Sequence, residues 1–403
     1  MNAGASVTGM GATTPLGGDV ASTWEGMLAG RSGVVAVEEE WARELPVRIA
    51  GRMRVDPAEV LGRVSARRLD RCQQAAVVAA REAWAAAGAP EVEPERLAVV
   101  IGTGVGGVLT TLAQDDLMEA SGARKVSPYT VPMLMPNGPA AVVSMELGAR
   151  AGAHTPVSAC ASGAEAIAMG LDLIRLGRAD VVVAGGAEAC LHPLTMAGFG
   201  QARALSTRNE SPREASRPFD AGRDGFVLGE GAAVMVLERE EFAAARGAGA
   251  HARLAGAGTS SDAHHITAAD VAGQARAIRL ALASAGLAAL DVGHVSAHAT
   301  STPIGDVTEA RSIAETIGTH AAVTAVKSMV GHLCGAAGAL GAMAAVLALR
   351  DGVIPAIRNL EEPDPEVKLD LVGGEPRRGR WDAALANAFG FGGHNASLIF
   401  TRA

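Results

Sequence analysis

Cys160 stands where two patterns meet. The run from Val157 to Leu176 reads VSACASGAEAIAMGLDLIRL: small residues as far as Cys160, then Ile167, Ala168, Leu171 and Ile174 at helical spacing, with Gly177 as a stop signal. This predicts a buried strand, a tight turn carrying Cys160, and a helix. A thiol at a helix N-terminus meets unpaired N–H groups and the positive end of the dipole, which favour a nucleophilic thiolate. The small neighbours Ala159, Ala161, Ser162 and Gly163 leave room for a substrate carbonyl. A packed, inert cysteine fits the same letters.

Three stretches in the second half carry further chemistry. SAHATSTPIGDVTEA (296–310) ends a predicted strand at His298 and continues with the hydroxyls of Thr300, Ser301 and Thr302. Strand ends are where α/β folds place ligands. AVKSMVGHLCGAAGALGAM (325–343) puts Lys327 and His332 in the turn before an apolar helix. The chain has only three lysines, Lys125, Lys327 and Lys368. One held among small apolar residues points to a compact point charge where the arginine fork would not fit. NAFGFGGHNAS (387–397) joins two strands through glycines, which suit either a ligand-facing turn or a plain hairpin. Taken singly, either histidine also suits a hydrogen-bonded core position.

The elements that must hold these residues alternate along the chain. Strands are expected at 6–10, 97–101, 180–184, 231–237, 252–257, 294–298, 322–326, 384–389 and 395–401. Helices are expected at 20–29, 72–87, 139–147, 239–246, 270–285, 306–317 and 335–350. Alternation predicts an α/β protein with a mostly parallel, covered sheet, in two halves, 1–245 and 246–403. The segment 188–230 breaks the rhythm, and an ordered loop of that length is usually functional. GTGVGG after the strand at 97–101 lacks the dinucleotide fingerprint.

Composition narrows the function classes. With 49% apolar residues, 3% aromatics and a formal charge of −8, the chain has no basic, aromatic-interleaved patch for nucleic acid. Four scattered cysteines exclude a zinc ribbon or disulfide scaffold and fit a reducing cytoplasm. No signal peptide is expected from MNAGASVTGMGATTPLGG. Met329–Leu349 is uncharged and apolar, but its glycines, its His332 and its Ala-rich make-up read as a buried helix, not a membrane span.

Four motifs, SACASG, AHATSTPIGD, KSMVGHLCGAAG and NAFGFGGHNAS, together with GFGQARALSTRN (198–209) and RPFDAGRDGFVLGEG (217–231), resemble in order those of the β-ketoacyl-[acyl-carrier-protein] synthases of the elongating type, synthase II. The resemblance covers essentially the whole chain. It implies a thiolase-like αβαβα five-layered sandwich of two related halves, paired as a homodimer, with no bound cofactor and no nucleic-acid or membrane partner. Its substrates arrive on the phosphopantetheine of an acyl carrier protein. It implies catalytic roles for Cys160, His298, Lys327 and His332, an oxyanion hole and gate at Cys160 and Phe391, and substrate contacts at Thr300, Thr302, Phe199, Gly392 and Gly393. Carrier docking is expected at Arg67, Arg68 and Arg203. A ketosynthase subunit of a type II polyketide pathway is the nearest alternative. A silent scaffold or chain-length partner would lack Cys160.

One position departs from the family. Gly341 stands where GAAGxxEA commonly has Glu, a partner for the lysine. Its absence favours a neutral Lys327 or recruitment of another carboxylate, for which Asp306 and Glu309 are the candidates. A specialised, inhibitor-resistant copy of the fatty-acid enzyme is a further alternative.

Overall fold

The computed structural model describes residues 4–403. Its frame is one succession of elements used twice. The first half runs β1 (Ala5–Thr13), α1 (Arg71–Ala86), β2 (Leu97–Gly102), α2 (Gly138–Leu147), β3 (Gly152–His154), α3 (Ser162–Arg175), β4 (Val181–Glu188) and β5 (Gly231–Arg239). The second runs β6 (Ala252–Ser261), α4 (Val271–Ala285), β7 (Val292–Ser296), α5 (Pro303–Thr316), β8 (Ala322–Thr324), α6 (Ala337–Asp351), β9 (Ala383–Gly390) and β10 (His394–Thr401). The strand order is β8-β7-β9-β10-β6-β1-β5-β4-β2-β3, with the short strand Asp370–Leu371 outside β8. The two halves therefore have matching orders, and they join through β1 and β6, where Ala5 faces Leu254 and Val7 faces Ala252.

The expectation of a mostly parallel sheet is corrected. Only the flanks are parallel: β2 with β3 and β4, and β7 with β8 and β9. The pairs through the middle, β4–β5, β5–β1, β1–β6, β6–β10 and β10–β9, are antiparallel. For one of these pairs the reason is local: β9 returns directly as β10 by a tight turn, with no crossover helix to make the pair parallel.

Helices α1 and α2 cover one outer face, α4 and α5 the other, and α3 packs on α6 between the halves. Each interface has its own apolar cluster: Cys72, Ala79, Val99 and Val183 outside the first half, Ile278, Ile313 and Leu385 outside the second, and Ile167, Leu171, Leu340 and Met343 in the middle. Small residues make the layers close. A Cβ on Gly11 would lie 2.0 Å from the Ala79 carbonyl oxygen, so β1 and α1 touch backbone to backbone. The segment Cys334–Asp351 is apolar enough to cross a membrane, but 89% of it is buried inside the protein.

Three local expectations change. The strand ahead of Cys160 stops at His154; Pro156 has no N–H to continue the ladder. Strand β4 runs past its expected end at 184, through GGAE to Glu188. A helix, Val108–Ser121, does follow the Gly-rich turn.

Candidate active site

Cys160 lies in the 3-10 turn Ala159–Ala161, which leads directly into α3. The turn is held by Ser162, whose hydroxyl accepts from the Ser158 N–H at 2.9 Å and donates to the Ala159 carbonyl at 2.7 Å. Ala159 adopts φ 50°, a left-handed conformation rare for a residue with a Cβ. Cys334 (φ 44°), in the equivalent turn ahead of α6, and Ser301 (φ 71°), after His298, do the same. Backbone strain collects around functional sites, and no letter in the sequence signalled it.

The Cys160 sulfur lies 2.9 Å from His332 Nε2. His332 is buried, and its backbone is clamped to the segment 227–229: its N–H donates to the Val227 carbonyl at 2.7 Å, and its carbonyl accepts from Gly229 at 2.9 Å. The edge-on contacts of its ring with Phe226 (5.3 Å) and His298 (5.5 Å) fix its plane. Its Nδ1 has no hydrogen-bond partner among the described residues. An N–H there would be stranded, so the hydrogen belongs on Nε2, facing the sulfur.

Lys327 lies behind His298 and does not line the cavity. Its ammonium donates to the His298 carbonyl and lies 3.4 Å from His298 Nδ1. A cation donating to Nδ1 leaves the imidazole hydrogen on Nε2. Burial and the Lys327 charge hold both histidines well below the usual imidazole range, so both are neutral. Burial likewise brings Lys327 down to about 8, opposed first by the field of Glu309 and then by Cys160 and Asp306.

The two candidate carboxylates do different things. Glu309 accepts from the N–H groups of His298 (2.8 Å) and Ala299 (2.6 Å) and from Asn387 Nδ2 (3.2 Å). It frames His298 and is the stronger field at Lys327, without a contact ion pair. Asp306 accepts from Phe219 (2.8 Å) and Ser301 (3.1 Å), with Arg223 at 3.6 Å. It shapes the 299–302 turn. Gly341 faces nothing closer than Ser296 Oγ, 3.5 Å from its would-be Cβ. Glu309→Gln is expected to set an amide NH2 against a backbone N–H, at a cost of about 1–3 kcal/mol. Thermal denaturation should show a Tm lower by a few degrees. An unchanged Tm would mean that Glu309 does not frame His298.

The thiolate expected at rest is corrected. Burial of the sulfur, with Glu188 adding repulsion, pushes the Cys160 thiol up to about 12, against the pull of Lys327 and the Phe391 N–H. The resting centre is a neutral thiol beside a neutral imidazole.

Cys160, His298, His332 and Glu309 line one cavity of about 560 Å³, whose wall also includes Phe199, Phe226, Thr300, Thr302, Phe389, Phe391 and Gly393. Phe391 is 41% exposed, at the open side. A Cβ on Gly390 would lie 2.4 Å from the Ser158 carbonyl oxygen, so only glycine lets the 390–393 turn reach Cys160. Gly392 is not part of the wall; its φ of 89° serves the turn. Arg203 is on the wall, whereas Arg67 and Arg68 are exposed away from it, the Arg68 guanidinium lying 5.4 Å above the Tyr129 ring. Arg71, close to them in sequence, is occupied by Glu230 and Asp56.

Sequence reasoning missed Glu188. Fully buried at the end of β4, it accepts from Thr103 Oγ1 (2.9 Å), Gly104 N–H (2.7 Å) and Gly335 N–H (3.0 Å), tying the Gly-rich turn to the turn ahead of α6. The signal was a carboxylate closing an uninterrupted apolar run, VVVAGGAE.

A twice-used α/β unit with a cysteine at the head of its central helix defines the thiolase-like class of enzymes. Family models agree: β-ketoacyl synthase, N-terminal domain, over residues 5–243, and β-ketoacyl synthase, C-terminal domain, over 251–361. The chain belongs to the β-ketoacyl synthase family. It is 47% identical over 402 residues to 3-oxoacyl-[acyl-carrier-protein] synthase 2 of Mycobacterium tuberculosis, covering 98% of this chain and 96% of that one. Among solved structures it is similar to the ishigamide ketosynthase/chain length factor, at a TM-score of 0.93 and 34% identity. It is also similar to a type II PKS ketosynthase in complex with its acyl-carrier protein and bound to the hexaketide, at a TM-score of 0.91 and 28% identity. Both cover 100% of each chain.

Proposed function

We propose that this enzyme lengthens an acyl chain by two carbons through decarboxylative condensation with malonyl-[acyl-carrier protein]. The observation that carries the reading is the contact of Cys160 Sγ with His332 Nε2 at 2.9 Å, with His298 edge-on to His332 and Lys327 behind it. Residues 1–245 supply the nucleophile and 246–403 supply His298, Lys327 and His332. Cys160 attacks the incoming acyl thioester; its hydrogen balances the thiol released on the carrier. The His332 N–H, the Phe391 N–H and the Lys327 charge stabilise the sulfur as it becomes anionic. The Cys160 and Phe391 N–H groups then face the thioester oxygen. When malonyl thioester loses carbon dioxide, negative charge builds on its carbonyl oxygen. The Nε2–H groups of His298 and His332 receive that charge, and the enolate carbon attacks the acyl carbon on Cys160, breaking its bond to the sulfur, which leaves as thiolate and takes up a proton from solvent. Thr300 and Thr302, whose hydroxyls lie 3.0 Å apart on the wall, suit the pantetheine arm. The purified protein given acyl- and malonyl-carrier proteins should release carbon dioxide and yield a product two carbons longer. Absence of both carbon dioxide and acyl-Cys160 would sink the reading.

The fatty-acid reading rests on the 47% relative. The polyketide reading is the second one, favoured by the structural neighbours. We read the partner as an acidic carrier protein in a cytoplasmic setting. Arg203→Glu is expected to raise KM for the carrier substrate about tenfold at low salt, with kcat nearly unchanged, and the difference should shrink as salt rises. Equal loss at all salt concentrations would remove Arg203 from docking.

We also read the protein as a homodimer. Val105, Met118, Tyr129, Val131, Met145 and Val157 are exposed apolar side chains within one stretch of 53 residues beside the edge strand β3. Exposed apolar side chains that gather into one patch mark an interaction face. Sedimentation equilibrium should give twice the chain mass of 40.7 kDa, and Val131→Glu should yield monomer. A monomeric native chain would overturn the assignment.

A further inference from the structure

We infer that Cys190 and Cys334 form a reversible dithiol–disulfide pair in the wall of the cavity that holds Cys160. Cys190 lies just past β4, and Cys334 opens the 3-10 turn Cys334–Ala336 ahead of α6. The Glu188–Gly335 hydrogen bond of 3.0 Å holds these two segments side by side. Both side chains line the cavity, and both belong to one apolar cluster with Leu205, Phe226 and Leu228. Their thiols are in direct side-chain contact. The proposed condensation uses neither.

Cys334 takes a left-handed backbone that a side chain adopts only when its surroundings impose it, so the direction of its Cα–Cβ bond is set. The hydrogen bond with Cys190 and burial keep Cys334 protonated at rest, so the attacking thiol gives up its proton as it reacts, and the nearness of the second thiol speeds the closing step. The oxidant is hydrogen peroxide, small enough to enter by the cavity. One thiol attacks the peroxide oxygen, giving a sulfenic acid and releasing water. The second thiol displaces that oxygen as a second water and forms the S–S bond. The two sulfurs together lose two electrons and two hydrogens, and dithiothreitol reverses the change.

The cross-link ties the turn after His332 to the segment that leads into the helix Pro193–Gln201, which carries Phe199. A wall fixed in this way admits an acyl chain less readily, so transfer to Cys160 slows in the oxidised protein.

The test is a peptide map, independent of whether the enzyme condenses. Folded Cys160→Ala protein is treated with hydrogen peroxide, denatured, alkylated and digested without reductant. The expected result is a peptide pair joining Cys190 to Cys334, lighter by two hydrogens and separated by dithiothreitol. Oxidation of either cysteine without the cross-link, or pairing of either with Cys72, overturns the inference. The native chain gives a second test. It should show the same cross-link with Cys160 still alkylatable, and severalfold slower acyl transfer that dithiothreitol restores. A cross-link containing Cys160 overturns the pair, and a Cys190–Cys334 cross-link with undiminished acyl transfer overturns its control of loading. Failure of either test leaves the condensation reading standing.

Discussion

Cys160→Gln is expected to abolish chain elongation while carbon dioxide release from malonyl carrier protein continues. The substitution removes the sulfur that carries the acyl group in the proposed reaction. Loss of a nucleophile that works as one unit with its neighbours costs on the order of 10⁴–10⁶ in turnover. The glutamine amide stands roughly where an acyl thioester would, so the cavity resembles the loaded state. His298 and His332 keep their Nε2–H groups, and Lys327 still sets the tautomer of His298, 3.4 Å from its Nδ1. Decarboxylation needs only those donors. Product mass spectrometry and released carbon dioxide, measured on the same sample, separate the two steps. Elongated product from the variant at more than a thousandth of the native rate would mean that Cys160 is not the acyl carrier.

His298→Ala and His332→Ala should each lower decarboxylation about 10²–10³-fold, the usual cost of losing one preorganised donor to a developing oxyanion. The double variant should lose less than the product of the two, because both serve one oxygen. The acyl-transfer step tells them apart. His332 touches the sulfur at 2.9 Å, whereas His298 meets it only through the His332 ring, at 5.5 Å between centroids. His332→Ala should therefore slow formation of acyl-Cys160, and His298→Ala should leave it near native. Equal slowing by both would show that the division of labour is wrong. Lys327 adds a pH signature. Its pKa is about 8, so the charge is present below that pH and lost above it. Decarboxylation by the Cys160→Gln protein should fall as pH rises through about 8, and Lys327→Ala should be slow throughout and lack that limb. A profile flat to pH 9 would exclude a role for the charge.

The sequence carried the duplicated rhythm of strands and helices because apolar period and stop signals are local. Most predicted elements lie within a few residues of those observed. Where the reading failed, a neighbour distant in sequence decided. Glycine breaks isolated strands, so the strand expected at 180–184 stops short of GGAE; in the fold GGAE continues β4, where a Cβ on Gly186 would lie 2.5 Å from the Gly335 carbonyl oxygen. The strand direction in the middle of the sheet was equally invisible, since alternation of strand and helix says nothing about how the halves meet.

The order of Cys160, His298, Lys327 and His332, and the residue types around them, were properties of the chain itself, and they sufficed to identify the kind of chemistry. Their working state was not. Whether Cys160 rests as thiol or thiolate depends on how completely the surrounding layers exclude water from the sulfur. Whether Lys327 finds a carboxylate in place of the one missing at Gly341 depends on how near Glu309 comes to it when α5 docks behind His298. Charge and tautomer are set by distances of a few ångströms between separate segments, 29 residues apart for His298 and Lys327 and 172 for Cys160 and His332, and only the packed fold brings those segments together.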